Sequence, residues 1–182
     1  LGLRGQDTSE LFFQDCRVPV ANLLGGHEGR GFKQLMQKLQ QERLCIAVAS
    51  IASCRRALDD TMDYVKQRRA FGQPIAGFQH IQFRLAELAT EVEVGQAFTD
   101  KLPAAHVRKE SIVTEVSMAK WWTTDLQKRL TAECLQLHGG YGFRLEYPIS
   151  TDYADAAVQS IYAGTNEIMK RIIARNLGLD LT

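Results

Sequence analysis

The sequence lacks any long hydrophobic run and has almost no excess of charge of either sign. Its 22 basic and 21 acidic residues give a formal net charge of +1, which is too small to favour nucleic acid or an anionic membrane surface as a partner. No apolar stretch approaches the roughly 20 residues that a membrane-spanning helix needs. We therefore expect neither a nucleic-acid-binding protein nor a membrane span.

Cysteine is also scarce and shows no metal-binding pattern. The chain has four cysteines and four histidines, and no two cysteines have the Cys-x-x-Cys spacing of a zinc site or a redox motif. The cysteines are Cys16, Cys45, Cys54 and Cys134. This distribution predicts a reduced intracellular protein that holds no structural metal.

Helical periodicity is the main positive feature of the sequence. Hydrophobic residues make up 45% of the 182 residues and charged residues 24%, which is typical of a globular domain with one core. Apolar residues at i, i+3, i+4 and i+7 from Phe32 predict one long helix that continues to about Arg68. Further helices are predicted from about Phe78 to Phe98 with Pro103 at or just beyond the end, over Ser111 to His138, over Pro148 to Ala157, and after a cap at Thr165 or Asn166. The predicted fold is a mainly α, antiparallel helical bundle.

The first 31 residues have a different pattern. Leu11 to Val20 is short and β-prone, which predicts a strand at the N-terminus. Several glycines between Gly25 and Gly31 indicate a loop, and helical periodicity begins directly after it. We therefore predict a domain boundary near Gly31.

Four motifs follow one another along the chain: Gln-Arg-Arg-Ala-Phe-Gly at residues 67–72, Phe78-Gln79, Gln136 to Gly142, and Ile161 to Glu167. Each motif alone is weak. Their order and spacing over nearly the whole chain resemble the acyl-CoA dehydrogenase family. The resemblance assigns residues 1–31 to the end of the family's middle β-domain and its linker, and residues 32–182 to its C-terminal helical bundle domain.

The resemblance implies dehydrogenation of an acyl-CoA thioester between Cα and Cβ, in which a base takes the Cα proton and FAD accepts a hydride. The family also has an N-terminal helical domain, so we expect the chain to belong to a longer polypeptide and to be inactive alone. The implied partners are an acyl-CoA substrate, an electron-transfer flavoprotein, and further copies in a dimer or tetramer. The expected location is the cytoplasm in a bacterium and the mitochondrial matrix in a eukaryote.

The identity of the catalytic base is the central question. Most of the family carries a glutamate at the position of Ala163, which cannot act as a base. In long-chain and isovaleryl-type members the glutamate lies on the first long helix of this domain, and the matching residue is Glu42. Apolar neighbours such as Leu39 and Ile46 would desolvate that carboxylate and raise its pKa. The helix pattern alone favours a solvated glutamate beside Lys38, whereas the resemblance favours catalysis.

The resemblance also implies substrate contacts at Arg43, Tyr162, Ala163 and Gly164. Arg43 is similar to a residue that lines the active site and supports its hydrogen-bond network, although an exposed arginine fits the pattern equally well. Ala163 keeps a backbone N–H, which in the family polarises the thioester carbonyl. Tyr162 is similar to an aromatic residue beside the acyl chain, and packing alone would also explain it.

Three groups of residues resemble the family's FAD contacts. They are Arg68, Phe71 and Gln79; Gln136, Gly139 and Gly140; and Thr165, Asn166 and Glu167. Arginine suits a pyrophosphate, glycine permits close backbone approach, and free amides at a helix start suit an anion. Each group also has a purely structural explanation, as a basic helix end, a helix stop and a helix cap.

Two other functions compete with a dehydrogenase. One is a noncatalytic bundle subunit that gives FAD-binding or assembly surface to a related catalytic partner, and the other is an acyl-CoA oxidase, which passes electrons to oxygen. Glu42 beside Arg43 favours the dehydrogenase over the noncatalytic subunit. The residues around Glu42 and Ala163 favour long-chain substrates within the family.

Overall fold

Long helices dominate the computed structural model, which describes residues 1–179. The helices are α1 (Gly31–Gln67), α2 (Gln79–Val107), α3 (Val113–His138), α4 (Pro148–Gln159) and α5 (Asn166–Asn176). A small antiparallel hairpin of β1 (Arg69–Ala70) and β2 (Gln73–Pro74) joins α1 to α2. The predicted fold class, a mainly α helical bundle, is confirmed.

Helix α3 lies at the centre of the bundle and packs against α1, α2, α4 and α5. One core cluster joins α1, α2, α3 and α4 through fully buried residues such as Leu58, Leu88 and Leu130. A second cluster joins α1, α2 and α3 through residues that include Ala47, Leu102 and Val116. The bundle therefore has an apolar interior made of two clusters, and α3 contributes to both of them.

Helix α2 runs further than its sequence predicts. Pro103 was expected to end the helix or to follow it, but Pro103 lies inside α2, which continues to Val107. A proline removes one N–H from the helical ladder. Leu102 and Ala105 beside it are buried in the second core cluster, so apolar packing offsets the lost hydrogen bond.

The N-terminal segment differs from the prediction as well. Leu11 to Val20 forms no strand within residues 1–179, and its side chains are exposed. The β hairpin of the described structure lies at residues 69–74 instead. A strand requires a neighbouring strand to accept its backbone hydrogen bonds, and none accompanies this segment among the described residues. The helix that was expected after Gly31 does begin there, while the domain boundary itself stays a prediction.

The first turns of α1 carry apolar side chains that the described part of the chain does not cover. Phe32, Leu35 and Met36 are 76%, 54% and 45% exposed. Burial begins at Arg43 and Leu44 and continues along the rest of the helix. One amphipathic helix therefore has a packed region and an open region.

Candidate functional site

The connection between α4 and α5 is a tight turn with an unusual backbone. Ala163 has φ of 50° and Gly164 has φ of 97°, both in a region that favours glycine. A Cβ on Gly164 would also lie 3.0 Å from Cε of Met169. Glycine is therefore required at 164, while Ala163 adopts a strained conformation.

Two cations hold the carbonyl groups of this turn. Nε of Arg43 donates to the carbonyl oxygen of Ala163 at 3.1 Å, and Nζ of Lys120 donates to that of Gly164 at 2.8 Å. Arg43 is 5% exposed and Lys120 is completely buried. The predicted contact region of Arg43, Ala163 and Gly164 is thus assembled in the structure, and the alternative of an exposed Arg43 is wrong.

Burial also changes the protonation of the two cations. It lowers the pKa of Lys120 to about 8, with Arg43 acting in the same direction and Asp125 and Glu167 opposing. Burial lowers the pKa of Arg43 from its ordinary value, and Glu42 opposes that change. The turn therefore lies in a desolvated environment with two adjacent positive groups.

Asn166 connects the turn to α3. Its side-chain oxygen accepts a hydrogen bond from Nζ of Lys120 at 3.0 Å, and its amide nitrogen donates to Asp125 at 2.8 Å and to Thr124 at 2.9 Å. Asn166 is 3% exposed. It is the first residue of α5, where Thr165 is the N-cap and accepts from the Ile168 amide. The predicted cap is confirmed, and the amide side chain of Asn166 binds protein groups.

The backbone amides of the turn remain available for a ligand. Ile161 and Tyr162 donate their N–H groups to the carbonyl of Val158. Within residues 1–179, the amides of residues 163–165 donate to no acceptor. The hydroxyl of half-buried Tyr162 donates a hydrogen bond to Gln159. Burial raises the pKa of the Tyr162 hydroxyl. Free amides beside a helix start are suited to a carbonyl or anionic oxygen.

Glu42 does not have the environment that its sequence predicted. Its side chain is exposed, and it forms no ion pair among the described residues. The apolar residues expected to desolvate it, which include Leu39, are only partly buried in this part of the protein. Helix geometry explains the difference, because Arg43 occupies the face of α1 that meets the turn and its neighbour Glu42 points elsewhere. The expected desolvation of Glu42 is therefore wrong for this chain taken alone.

A second group of predicted residues meets at the other end of α1. Arg68, Gln136, Gly139 and Gly140 line a cavity of about 350 Å³ together with aromatic residues that include Tyr141. The guanidinium of Arg68 lies 5.5 Å from the centre of the Tyr141 ring. Gly139 ends α3 with φ of 58° and ψ of −138°, a combination open almost only to glycine. We call this group the Arg68 cavity.

The floor of the Arg68 cavity is made of stacked aromatic rings. Tyr64 and His138 stack with ring centres 4.2 Å apart, and the Tyr64 hydroxyl donates to the carbonyl of His138 at 3.1 Å. The cavity also contains Arg144. Two arginines, an amide side chain and glycine backbone without a Cβ fit the pyrophosphate part of FAD, because they combine cationic donors with close backbone approach.

Phe71 and Gln79 lie near this end of the bundle without lining the Arg68 cavity. Phe71 is 95% exposed in the hairpin, with φ of 49°. Gln79 is the exposed first residue of α2. Glu167 is likewise exposed, at the start of α5, where backbone and Thr165 hydrogen bonds lower its pKa. These three residues offer surface but have no enclosed site in the described structure.

The sequence analysis did not predict a role for Lys120 or for the aromatic rings of the Arg68 cavity. Lys120 follows Ala119 and lies one turn after Val116, both of which are fully buried. A lysine on the apolar face of a central helix was a detectable signal, because buried lysines are rare unless they bind a partner. Tyr64 and His138 showed no such signal, since their stacking depends on two distant helices.

Comparisons with known proteins agree with the geometry. The family described as "Acyl-CoA dehydrogenase, C-terminal domain" matches residues 29–178. The mitochondrial long-chain specific acyl-CoA dehydrogenase of Mus musculus is 50% identical over 180 residues, which cover 99% of this chain and 42% of the mouse protein. The crystal structure of an acyl-CoA dehydrogenase from Geobacillus kaustophilus superposes with a TM-score of 0.89 at 55% identity, and the match covers 93% of this chain and 44% of that one.

A more distant neighbour was solved with a cofactor. The FAD complex of PigA has a TM-score of 0.78 and 25% identity, covering 85% of this chain and 40% of its own. The fold defines a helical bundle domain of the kind that these relatives share. The chain belongs to the acyl-CoA dehydrogenase family, as its motifs predicted, and it spans less than half the length of these relatives.

Proposed function

We propose that the chain is the C-terminal part of an FAD-dependent dehydrogenase that oxidises an acyl-CoA thioester between Cα and Cβ. The observation that carries this proposal is the turn at residues 163–165, whose free amides lie beside α1 and whose carbonyls are held by Arg43 and Lys120. Such a turn presents fixed donors to a carbonyl oxygen on which negative charge develops.

In this proposal Glu42 takes the proton from Cα. The hydrogen bond from Arg43 to the carbonyl of Ala163 links α1 to the turn that carries the amide donors. Glu42 is the neighbour of Arg43 on α1, so its carboxylate lies on a helix that is fixed to that turn. Exposure within this chain leaves Glu42 accessible to a substrate. The amide of Ala163 polarises the thioester carbonyl, which acidifies the Cα proton, and Tyr162 lies beside the acyl chain.

The Arg68 cavity would hold the pyrophosphate and adenosine part of FAD, with Gln136, Gly139 and Gly140 as backbone and amide contacts and Phe71 and Gln79 on the adjoining surface. Thr165, Asn166 and Glu167 would contribute a further contact beside the reacting centre. When bound, FAD supplies the hydride acceptor for the reaction. The arginines would neutralise phosphate charge.

The length of α1 supports an oligomer. Arg43 and Arg68 lie about 38 Å apart along the helix, at a rise of 1.5 Å per residue. One extended FAD molecule is too short to reach from the Arg68 cavity to the turn at Ala163 in the same copy. In a dimer or tetramer, one FAD molecule could lie between the Arg68 cavity of one copy and the turn at Ala163 of another copy.

The remaining parts of the proposal follow the family. Similarity to the mouse long-chain specific enzyme favours a long-chain acyl-CoA as substrate. We propose an electron-transfer flavoprotein as the electron acceptor, and the cytoplasm or mitochondrial matrix as location. Among residues 1–179 no helix is long and apolar enough to cross a membrane, and no group of side chains is placed to hold a metal ion.

The test is anaerobic flavin bleaching by a long-chain acyl-CoA in the full-length protein that carries this chain. Glu42→Gln should slow bleaching at least about 100-fold while FAD stays bound, because a general base contributes that much or more. Glu28→Gln, an exposed glutamate before α1, is the control and should bleach normally. Adding Ala163→Glu to Glu42→Gln places a carboxylate at the position that is usual in the family and should restore part of the rate.

Each other outcome contradicts part of the proposal. Normal bleaching in Glu42→Gln would show that Glu42 is not the base. Absence of bleaching in the unmodified protein would favour the noncatalytic subunit, and hydrogen peroxide formed stoichiometrically with product in air would identify an oxidase.

A further inference from the structure

We propose that Lys120 is a positioning residue that, together with Arg43, fixes the backbone of the 163–165 turn in the orientation its amides need to bind the thioester carbonyl. This inference rests on the dehydrogenase function proposed above. It assigns a catalytic purpose to a lysine that touches no substrate and lies on the central helix of the bundle.

The backbone of the turn is strained at Ala163. A non-glycine residue with positive φ is strained, because its Cβ lies too close to the following carbonyl oxygen. Such a conformation persists only where the surroundings hold it. Ala163 has this conformation, and Gly164 follows with a larger positive φ. Without external contacts the turn would relax, and the free amides would change direction.

Contacts on both sides of Ala163 hold the turn in this conformation. Before Ala163, the amides of Ile161 and Tyr162 are tied to the carbonyl of Val158. After it, the only side-chain donors to the turn's carbonyls within residues 1–179 are Arg43 and Lys120, at 3.1 Å and 2.8 Å. Because a peptide unit is planar, fixing the carbonyl oxygens of Ala163 and Gly164 also fixes the N–H groups of Gly164 and Thr165. Ala163, whose own N–H polarises the thioester carbonyl in the proposed function, is thereby held from its carbonyl end.

Burying the ammonium group of Lys120 beside the turn is energetically unfavourable in itself. A buried ammonium group is unfavourable unless it is paired or hydrogen-bonded, and Lys120 also faces the positive charge of Arg43. Its hydrogen bonds go to the carbonyl of Gly164 and to Asn166. Both acceptors belong to the turn or to the helix start that follows it. A lysine kept at this cost, with one acceptor in the turn and the other at the start of α5 directly after it, is explained by the need to hold that turn.

The experiment compares Lys120→Met and the milder Lys120→Gln with the unmodified full-length protein, each saturated with FAD. Thr123→Val is the matched control, because Thr123 is a buried polar residue of α3 whose hydroxyl, within residues 1–179, bonds only to its own helix. Two quantities are measured: the rate of anaerobic flavin reduction per bound flavin, with its dependence on acyl-CoA concentration, and the infrared carbonyl band of a bound ¹³C-labelled enoyl-CoA.

The carbonyl band reports polarisation directly. In the unmodified protein it should lie below its frequency in solution, because the turn amides withdraw electron density from the carbonyl bond. Lys120→Met should move the band back towards the solution value and slow flavin reduction roughly 10- to 100-fold, since small displacements of catalytic donors have effects of this size. The acyl-CoA concentration for half-maximal rate should change little. Lys120→Gln should show the same effects in smaller degree, and Thr123→Val neither.

Two outcomes would overturn the inference. If Lys120→Met, or Lys120→Gln should the methionine variant not fold, keeps both the rate and the carbonyl band, Lys120 serves only stability. The same holds if Thr123→Val loses as much rate per bound flavin. If the unmodified protein neither bleaches nor shifts the band, the dehydrogenase function fails first and the role of Lys120 fails with it.

Discussion

The two candidate sites differ in how far this chain alone fixes them. Around the 163–165 turn the cations and Asn166 are buried and hydrogen-bonded to one another or to the backbone. In the Arg68 cavity, by contrast, Arg68, Gln136 and the glycines are exposed. The turn is a preorganised centre built by the bundle core, and the cavity is open to solvent. Function at the turn is thus coupled to folding stability, whereas function at the cavity is largely separate from it.

The largest expected effect comes from removing Asn166. Asn166→Ala takes away an acceptor from the buried Lys120 and a donor from Thr124 and Asp125. Taking a hydrogen-bond partner from the buried Lys120 and Thr124 should lower the free energy of unfolding by about 3 kcal/mol. Urea unfolding of the chain measures this loss. Gln136→Ala in the open cavity is the contrasting variant, and its change should stay within about 0.5 kcal/mol. Equal losses in the two variants would refute the contrast between the sites.

A smaller effect is expected where backbone conformation matters in the open cavity. A Cβ on Gly139 or on Gly140 would meet no atom within 4 Å, but only Gly139 of the two has positive φ. Gly139→Ala should therefore cost about 1 to 2 kcal/mol through backbone strain, and Gly140→Ala much less. Thermal unfolding of the two variants separates strain from crowding. Equal stability of the pair would mean that the end of α3 adjusts freely.

The smallest effect is a dependence on pH that originates at the turn. Lys120 has a pKa of about 8 in the folded protein, against an ordinary value of 10.5. Above pH 8 the unfolded chain holds a proton that the folded chain has released, so the free energy of unfolding should rise with pH. The rise is at most about 1.4 kcal/mol per pH unit.

Unfolding between pH 7.5 and 9 measures this contribution, and Lys120→Met should abolish it. The window stops at 9 because burial raises the pKa of the Cys54 and Cys134 thiols to about 12 and about 11. Folded thiols stay protonated while unfolded thiols ionise around pH 9, which opposes the rise from Lys120 in the upper part of the window. The difference between the unmodified chain and Lys120→Met isolates the contribution of the lysine. A Lys120→Met variant with the same pH dependence as the unmodified chain would show that the lysine does not release its proton in this range.

Much of the fold was predictable from periodicity. The start of α1 at Gly31, the end of α3 before Gly139 and the Thr165 cap depend on local sequence signals, and the structure agrees with them. Pro103 and the segment from Leu11 to Val20 were predicted wrongly, because a helix can continue through a proline when its packing compensates and a strand depends on a partner.

The candidate sites were predictable to a smaller degree. The family resemblance assigned Arg43 and Ala163 to one group of residues and Arg68 to another, and the structure places them in two separate clusters. The sequence could not show which side of α1 faces the turn. That orientation decides that Arg43 is buried and Glu42 exposed. Lys120 lies more than 40 residues before the turn that it holds, and such a pairing depends on how α3 and α5 pack. The roles of Glu42 and of the FAD contacts stay predictions.

The exposed start of α1 should affect how much of the protein accumulates in a cell. A copy whose Phe32, Leu35 and Met36 stay uncovered displays an apolar stripe on an already formed helix. Exposed apolar surfaces of this kind attract chaperones and degradation machinery, so we expect copies in which the stripe stays uncovered to be removed faster than copies in which it is covered. Substitutions at these three positions should therefore act on the abundance of the protein rather than on its turnover number. The same stripe allows quality control to tell an unfinished molecule from a finished one.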